Sequence, residues 1–232
     1  MIYQLSNELV FPDPFQADES GLLAVGGDLN VDRLLLAYSQ GIFPWFSPDD
    51  PVMWWSPAWR PIFIPGEVKI SKSLRRTIRK NVFEIRINAQ FEKVMRLCGD
   101  LRRHKEGTWI TEELIESYVL LHKMGYAHSI EAYQDGELVG GLYGVALGKA
   151  FFGESMFHIA RDASKVAFVA LSEHLKRWNY TFIDSQVSNP HLISLGAIEI
   201  HRSVFLDFLN DAVKEPALDN AWKFIPDWNL EL

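Results

Sequence analysis

The chain has 232 residues, 48% of them hydrophobic, with 8 Trp, 7 Tyr and 15 Phe, a content that builds an ordinary core and excludes a disordered tail, a collagen or a coiled coil. Its net charge is −7, yet residues 66–106 carry 12 Lys and Arg against 5 Asp and Glu while the remainder carries 11 against 25, so a locally basic segment stands on an acidic body. No apolar run approaches the roughly 18–20 residues of a membrane helix, Cys98 has no second cysteine to pair with, and the start MIYQLSNELVFPDPF has neither the basic flank nor the apolar run of a secretion signal. A cytoplasmic protein with no membrane partner is expected.

In chain order, residues 1–62 are punctuated by Pro and Gly (FPDPF, GG, FPWFSPDDP, SPAWRP) and read as a small N-terminal domain containing one helix, VDRLLLAYSQ, capped by Asn30 and closed by Gly41. IFIPGEVKI at 62–70 reads as a linker or an edge strand. Residues 63–232 form the second domain, starting with three helices: Ser71 caps SKSLRRTIRK, Asn88 caps AQFEKVMRLCGDLRR, and Thr111 precedes EELIESYVLLHK, which stops at Gly125. An antiparallel meander follows, HSIEAYQ, the turn Asp135-Gly136, ELVGGLYGVAL, a turn at Gly148, then AFFGESMF. A helix over 162–178, a strand YTFIDSQV, a short helix from Asn189, another short strand and a helix around SVFLDFLNDA complete an α+β order with a central, mostly antiparallel sheet. This order resembles the acyltransferase fold of the N-acetyltransferase superfamily.

The familiar catalytic signatures are missing. The sequence has no G-x-x-x-x-G-K-[ST], no H-E-x-x-H and no C-x-x-C, and its seven His show no zinc-like pairing, so neither a nucleotide cofactor nor a metal is expected. GESMF at 153–157 is half of a serine-hydrolase elbow without its second glycine. The N-acetyltransferase resemblance implies a glycine-rich pyrophosphate loop, but ESMFHIARDASK contains no glycine, so an acyl donor other than a coenzyme A thioester is expected. What remains is polar. KISKSLRRTIRK has six cations in twelve residues, with Lys72, Arg76, Arg79 and Lys80 on one helical face, and Arg102, Arg103 and Lys105 form a second cluster. A stripe of this kind can follow phosphates or simply be solvated. Asp184 and Gln186, two apart in a strand, are expected on one face of the sheet, with Ile183 and Ser185 on the other. They are either a working pair or a cap for the next helix. Glu154 is a candidate acid beside Phe151 and Phe152.

Taken together, GLLAVGGDL, AYSQGIFPWFS, WWSP, EGTWIT, AHSIEAY, GGLYGVALG, GESMF, ASK, IDSQV and SLGA resemble the leucyl/phenylalanyl-tRNA–protein transferase family, in order and near-identical spacing from about residue 20 to 210. The resemblance implies transfer of Leu or Phe from Leu-tRNA or Phe-tRNA to proteins with N-terminal Arg or Lys, marking them for degradation through the N-degron route. It implies roles residue by residue: Asp184 and Gln186 as the catalytic pair and Glu154 as the polar residue near the acceptor. Leu142, Phe151, Met156, Phe168, Leu171 and Ile183 would build the side-chain pocket, with Leu142 standing where methionine is usual, a volume-conserving exchange. Tyr38, Trp45 and Trp109 would surround the terminal adenosine, and Lys72, Arg76, Arg79 and Lys80 would contact acceptor-stem phosphates. Two other readings stay open: a coenzyme A-dependent N-acetyltransferase, and a non-catalytic RNA-binding module.

Overall fold

The computed structural model describes residues 2–103, 107–216 and 222–229. The expected cation Lys105 lies outside the described residues, as do the side chains of Arg102 and Arg103. The Pro- and Gly-rich start builds a four-stranded sheet from β1 (Tyr3–Leu5), β2 (Leu22–Gly26), β3 (Phe43–Pro44) and β4 (Met53–Trp55), in the order β1-β2-β4-β3, against helix α1 (Val31–Ser39). Its strands are too short and too interrupted by turns to leave an alternating pattern. Gly41 ends α1 at φ +72°, a backbone that favours glycine, and a side chain there would also crowd Leu206 Cδ2 at 2.7 Å.

A second, seven-stranded mixed sheet carries the rest. It contains β5 (Trp59–Phe63), β6 (Glu84–Ile87), β7 (Ala127–Gln134), β8 (Glu137–Leu147), β9 (Ala150–His158), β10 (Phe182–Asp184) and β11 (Ile198–His201), in the order β11-β5-β10-β9-β8-β7-β6. β9 and β10 run parallel, and the other neighbours pair antiparallel. Of the segment 62–70 expected as a linker or an edge strand, only Ile62 and Phe63 fall in β5, which lies one strand in from the edge, and a boundary at 62 cuts that strand.

Helix α2 (Lys72–Arg79) starts as expected, Ser71 Oγ accepting the Leu74 N–H, and α4 (Glu112–Lys123) likewise starts with Thr111 Oγ1 accepting from Leu114. Asn88 does not cap α3 (Phe91–Arg103). It sits at φ +58°, its Oδ1 accepts the Ser129 N–H, and the N–H of Gln90 just before α3 goes to the Glu131 carboxylate at 2.8 Å instead. The remaining helices are α5 (Ala163–Arg177), α6 (Pro190–Ser194), capped by Asn189, and α7 (Arg202–Ala212).

Alternation along the central strands sends neighbours to opposite faces. Tyr143, Val145 and Phe152 join a core with α1, α3, α4, α7 and the small sheet, including Leu34, Val94, Tyr118, Phe205 and Trp54. Leu142, Ala146 and Phe151 join a second core with α2 and α5, including Leu74, Ile78, Phe168 and Leu171. The small sheet thus shares its core with one face of the large one, and α5 is buried along nearly its whole length on the other.

Candidate active site

The sheet is opened at one place. β9 and β10 pair as far as Phe152↔Asp184, and beyond that the chains part. On the other side of β9, Tyr143 pairs with Ser155 and Gly144 with Gly153, which leaves Glu154 as the extra residue of a β-bulge. On β10, the strand ends at Asp184 and Gln186 takes φ +64°, an uncommon backbone for a residue with a side chain and one associated with functional sites. Bulge and kink together create a cavity of about 300 Å³ between the parted strands.

The kink corrects the same-face expectation for Asp184 and Gln186. Ile183, Ser185 and Gln186 line the cavity and Asp184 does not. Asp184 is fully buried beneath it, in a two-pronged ion pair with the equally buried Arg60: Nε donates to Oδ1 at 3.2 Å and Nη2 to Oδ2. Arg60 Nη1 donates to the Gly41 carbonyl at 2.6 Å, and its guanidinium lies 4.2 Å from the centre of the Phe205 ring. Asp184 Oδ1 also accepts the backbone N–H of Gln186 at 2.9 Å, so the carboxylate holds the kink rather than the Gln side chain.

That side chain is held by Glu154, whose Oε1 accepts from Gln186 Nε2 at 2.6 Å. The same Oε1 accepts from the Tyr38 hydroxyl at 2.7 Å, and the Tyr118 hydroxyl, 3.3 Å from Oε2, also lies within hydrogen-bond distance of the Tyr38 oxygen, so its single proton serves one of the two. Burial pushes the Glu154 carboxyl up to about 7, against the pull of the three donors and with a further push from the charge of Asp184. Burial first, then the Glu154 charge, raises both tyrosines well above the usual phenol range and keeps them donors. Because an ionised carboxylate only accepts, the Gln186 amide turns its nitrogen to Glu154 and leaves its oxygen to accept from something else.

All six residues expected in the apolar pocket, Leu142, Phe151, Met156, Phe168, Leu171 and Ile183, line this cavity, and Trp45 and Trp109 stand in its wall 6.3 Å apart edge to face. Tyr38 does not. It is buried under Glu154 and has no ring face to offer a base. Lys72, Arg76, Arg79 and Lys80 are all exposed on the side of α2 opposite the buried Leu74 and Ile78, and Lys72 and Arg76 border a separate groove with Arg161 and Asp162. Groove and cavity have no lining residue in common.

Sequence reasoning missed Arg60, Tyr118 and Trp222. Arg60 sits in SPAWRP with no local pattern, and Tyr118 falls in the apolar stripe of α4, where it reads as core. Trp222, from the C-terminal stretch, stacks on His128 at 3.7 Å and packs 5.5 Å from the ring of Phe151, behind the cavity wall. Burial holds the His128 ring down at about 3, so it stacks as a neutral ring.

Comparison with known proteins gives one result. The family described as Leucyl/phenylalanyl-tRNA protein transferase matches residues 62–210, and its N-terminal domain family matches residues 27–58. A leucyl/phenylalanyl-tRNA–protein transferase from Thermodesulfovibrio yellowstonii is 52% identical over 221 residues, covering 95% of this chain and 90% of the relative. One from Idiomarina loihiensis is 51% identical over 226 residues, covering 96% of each. Among the described residues, no helix is long and apolar enough to cross a membrane.

Proposed function

We propose a working mechanism from the premise that this chain belongs to the leucyl/phenylalanyl-tRNA–protein transferase family, and is therefore an aminoacyltransferase that takes an amino acid from aminoacyl-tRNA to a protein N-terminus. The parted sheet is read as the acyl-transfer arrangement of the N-acetyltransferase superfamily, with residues 1–62 as a small domain walling one side. The cavity takes the amino-acid side chain of Leu-tRNA or Phe-tRNA. Leu142, Phe151, Met156, Phe168, Leu171 and Ile183 surround it, and Trp45 and Trp109 flank the terminal adenosine. A pocket that suits Leu and Phe meets the β-branch of Val or Ile with its wall, a difference of about 1–3 kcal/mol.

The reaction needs alignment more than force. The donor ester is already reactive toward amines, and an α-amino group with a pKa of about 7.7–8.0 is roughly one-tenth neutral at pH 7, a cost of about 1 kcal/mol. The amine nitrogen bonds to the ester carbonyl carbon, the bond from that carbon to the ribose oxygen breaks, and one proton passes in net terms from nitrogen to the leaving oxygen. Gln186 accepts a hydrogen bond from the attacking nitrogen through its amide oxygen, the amide being oriented by Glu154 and the backbone beneath it by Asp184. In this scheme Gln186 is the catalytic residue and Asp184 is a positioning residue. Glu154, in the cavity wall, is the acid that an N-terminal Arg or Lys would meet, and such a cation would favour its ionised form. The cationic face of α2, Lys72, Arg76, Arg79 and Lys80, meets acceptor-stem phosphates without reading sequence.

The observation that carries this reading is the Gln186 amide, fixed by a buried carboxylate at the edge of an apolar cavity of amino-acid size. The test mixes labelled Leu-tRNA, Phe-tRNA or Val-tRNA with peptides beginning in Arg, Lys or Ala. Label is expected on Arg and Lys peptides from the first two donors, and label on the Ala peptide in preference to Arg would overturn the acceptor assignment. Asp184→Ala is expected to lower kcat at least about a hundredfold with the Kd for Phe-tRNA little changed, the pattern of lost alignment. Unchanged transfer would remove Asp184 from the mechanism.

A further inference from the structure

Between the groove on α2 and the cavity lies a stretch of surface to which no role has been given. Arg161 and Asp162 border the groove, and His191, on α6, lines the cavity. Lys165, one turn into α5, reaches back toward Asp162, its Nζ 3.5 Å from Oδ1. His158 closes β9 on the same rim. Partial burial, then the charge of Lys165 and then His158, holds the His191 ring below its ordinary pKa, so these three side chains lie within electrostatic reach of one another. Asp162 is flanked by two cations, Arg161 at 3.8 Å and Lys165 at 3.5 Å, so this rim stays net positive before Lys72 and Arg76 are counted.

We infer that Lys165, with His158 and His191, forms a phosphate site that holds the single-stranded 3′ end of the RNA as it passes from the α2 groove into the cavity. The inference rests on the aminoacyl-tRNA reading above. The groove and cavity are separate openings, and a terminus whose stem lies on the first and whose ester lies in the second must cross this rim with its phosphodiesters. A phosphate arriving there adds a second anion where Arg161 and Lys165 outnumber Asp162. It also favours the protonated form of His191, which turns the ring into a second donor to the same oxygen atoms. Lys165 is half-exposed, with its ammonium free to turn from Asp162 to a phosphate.

The test compares two donors carrying the same ester, Phe-tRNA and 3′-O-phenylalanyl-adenosine, which has no phosphodiester, with an Arg-initiated peptide as acceptor and the full chain as enzyme. In Lys165→Gln, kcat/KM for Phe-tRNA is expected to fall about threefold to tenfold further than for the adenosine ester. The slope of log affinity for Phe-tRNA against log salt is expected to become shallower by about 0.7, the value of one single-strand phosphate contact. Lys165→Arg, which keeps the charge, is expected to restore both. An equal effect on the two donors, or an unchanged salt slope, overturns the site. Failure of the unmodified enzyme to use either donor would instead overturn the transferase reading, so the two failures are distinguishable.

Discussion

The floor of the cavity and the groove on α2 both hold charge, and they do so by opposite means. Under the cavity, two carboxylates are buried and every strong contact is fixed: Asp184 by Arg60, Glu154 by Tyr38, Tyr118 and Gln186. On α2, Lys72, Arg76, Arg79 and Lys80 are exposed, on a helix whose buried side chains are Leu74 and Ile78. The floor invests folding stability in geometry, because a buried charge that loses its partner is costly, whereas exposed charges such as those of the groove contribute little to folding. Mutations in the first region should therefore disturb folding and transfer together, and mutations in the second should disturb RNA binding and little else.

The most severe break is Arg60→Leu. It strands Asp184 in the core, and urea denaturation is expected to show a loss of about 3–5 kcal/mol in unfolding free energy, with transfer falling in parallel. Arg60→Lys is not expected to rescue, because one ammonium cannot serve both carboxylate oxygens and the Gly41 carbonyl in the guanidinium's planar arrangement. A loss below about 1 kcal/mol for Arg60→Leu would mean that the floor is not held as described.

Glu154 gives the next largest effect, and its sign is unusual. Its carboxyl is raised in the fold from its ordinary value near 4.5 to about 7, so between those limits the folded protein holds a proton that the unfolded chain has released. This group's contribution therefore makes stability fall as pH rises from about 4.5 to 7, by about 3 kcal/mol in total. Glu154→Gln is expected to remove that slope from stability curves measured across the window. It is also expected to remove the component of the kcat/KM profile that titrates near 7, leaving the titration of the acceptor amine. Identical slopes in the two proteins would place the proton elsewhere.

The gentlest prediction sharpens the contrast. Arg76→Ala is expected to leave unfolding free energy within about 0.5 kcal/mol of the original while weakening tRNA binding and making its salt dependence shallower by about 1. A destabilisation as large as that of Arg60→Leu would erase the distinction between the two regions.

What could be read before the structure follows the same division. The cationic face of α2, the caps at Ser71, Thr111 and Asn189 and the Asp135-Gly136 turn are local patterns, each decided within a few residues, and they appear where the spacing put them. The six apolar residues of the pocket and Gln186 came from the family resemblance and do line one cavity. Arg60 was illegible because its partner is 124 residues away and no period announces it. The family resemblance sets Tyr38 beside the adenosine, and only its hydrogen bond to Glu154, 116 residues on, reveals a buried hydroxyl with another task. Alternation predicts a continuous strand over 180–187. Its early end at Asp184 depends on the Gln186 kink, which is held by a long-range ion pair invisible to alternation.

One further consequence follows from the bulge at Glu154. A surplus residue in a strand is a length mutation frozen into the sheet: with that residue deleted, Gly153 opposite Gly144 would be followed at once by Ser155 opposite Tyr143, and β9 would pair with β8 in unbroken register. The shortened protein would have a more regular sheet and would lose the carboxylate that orients the Gln186 amide. Regularity and catalysis compete at this one position, and the chain keeps the irregularity.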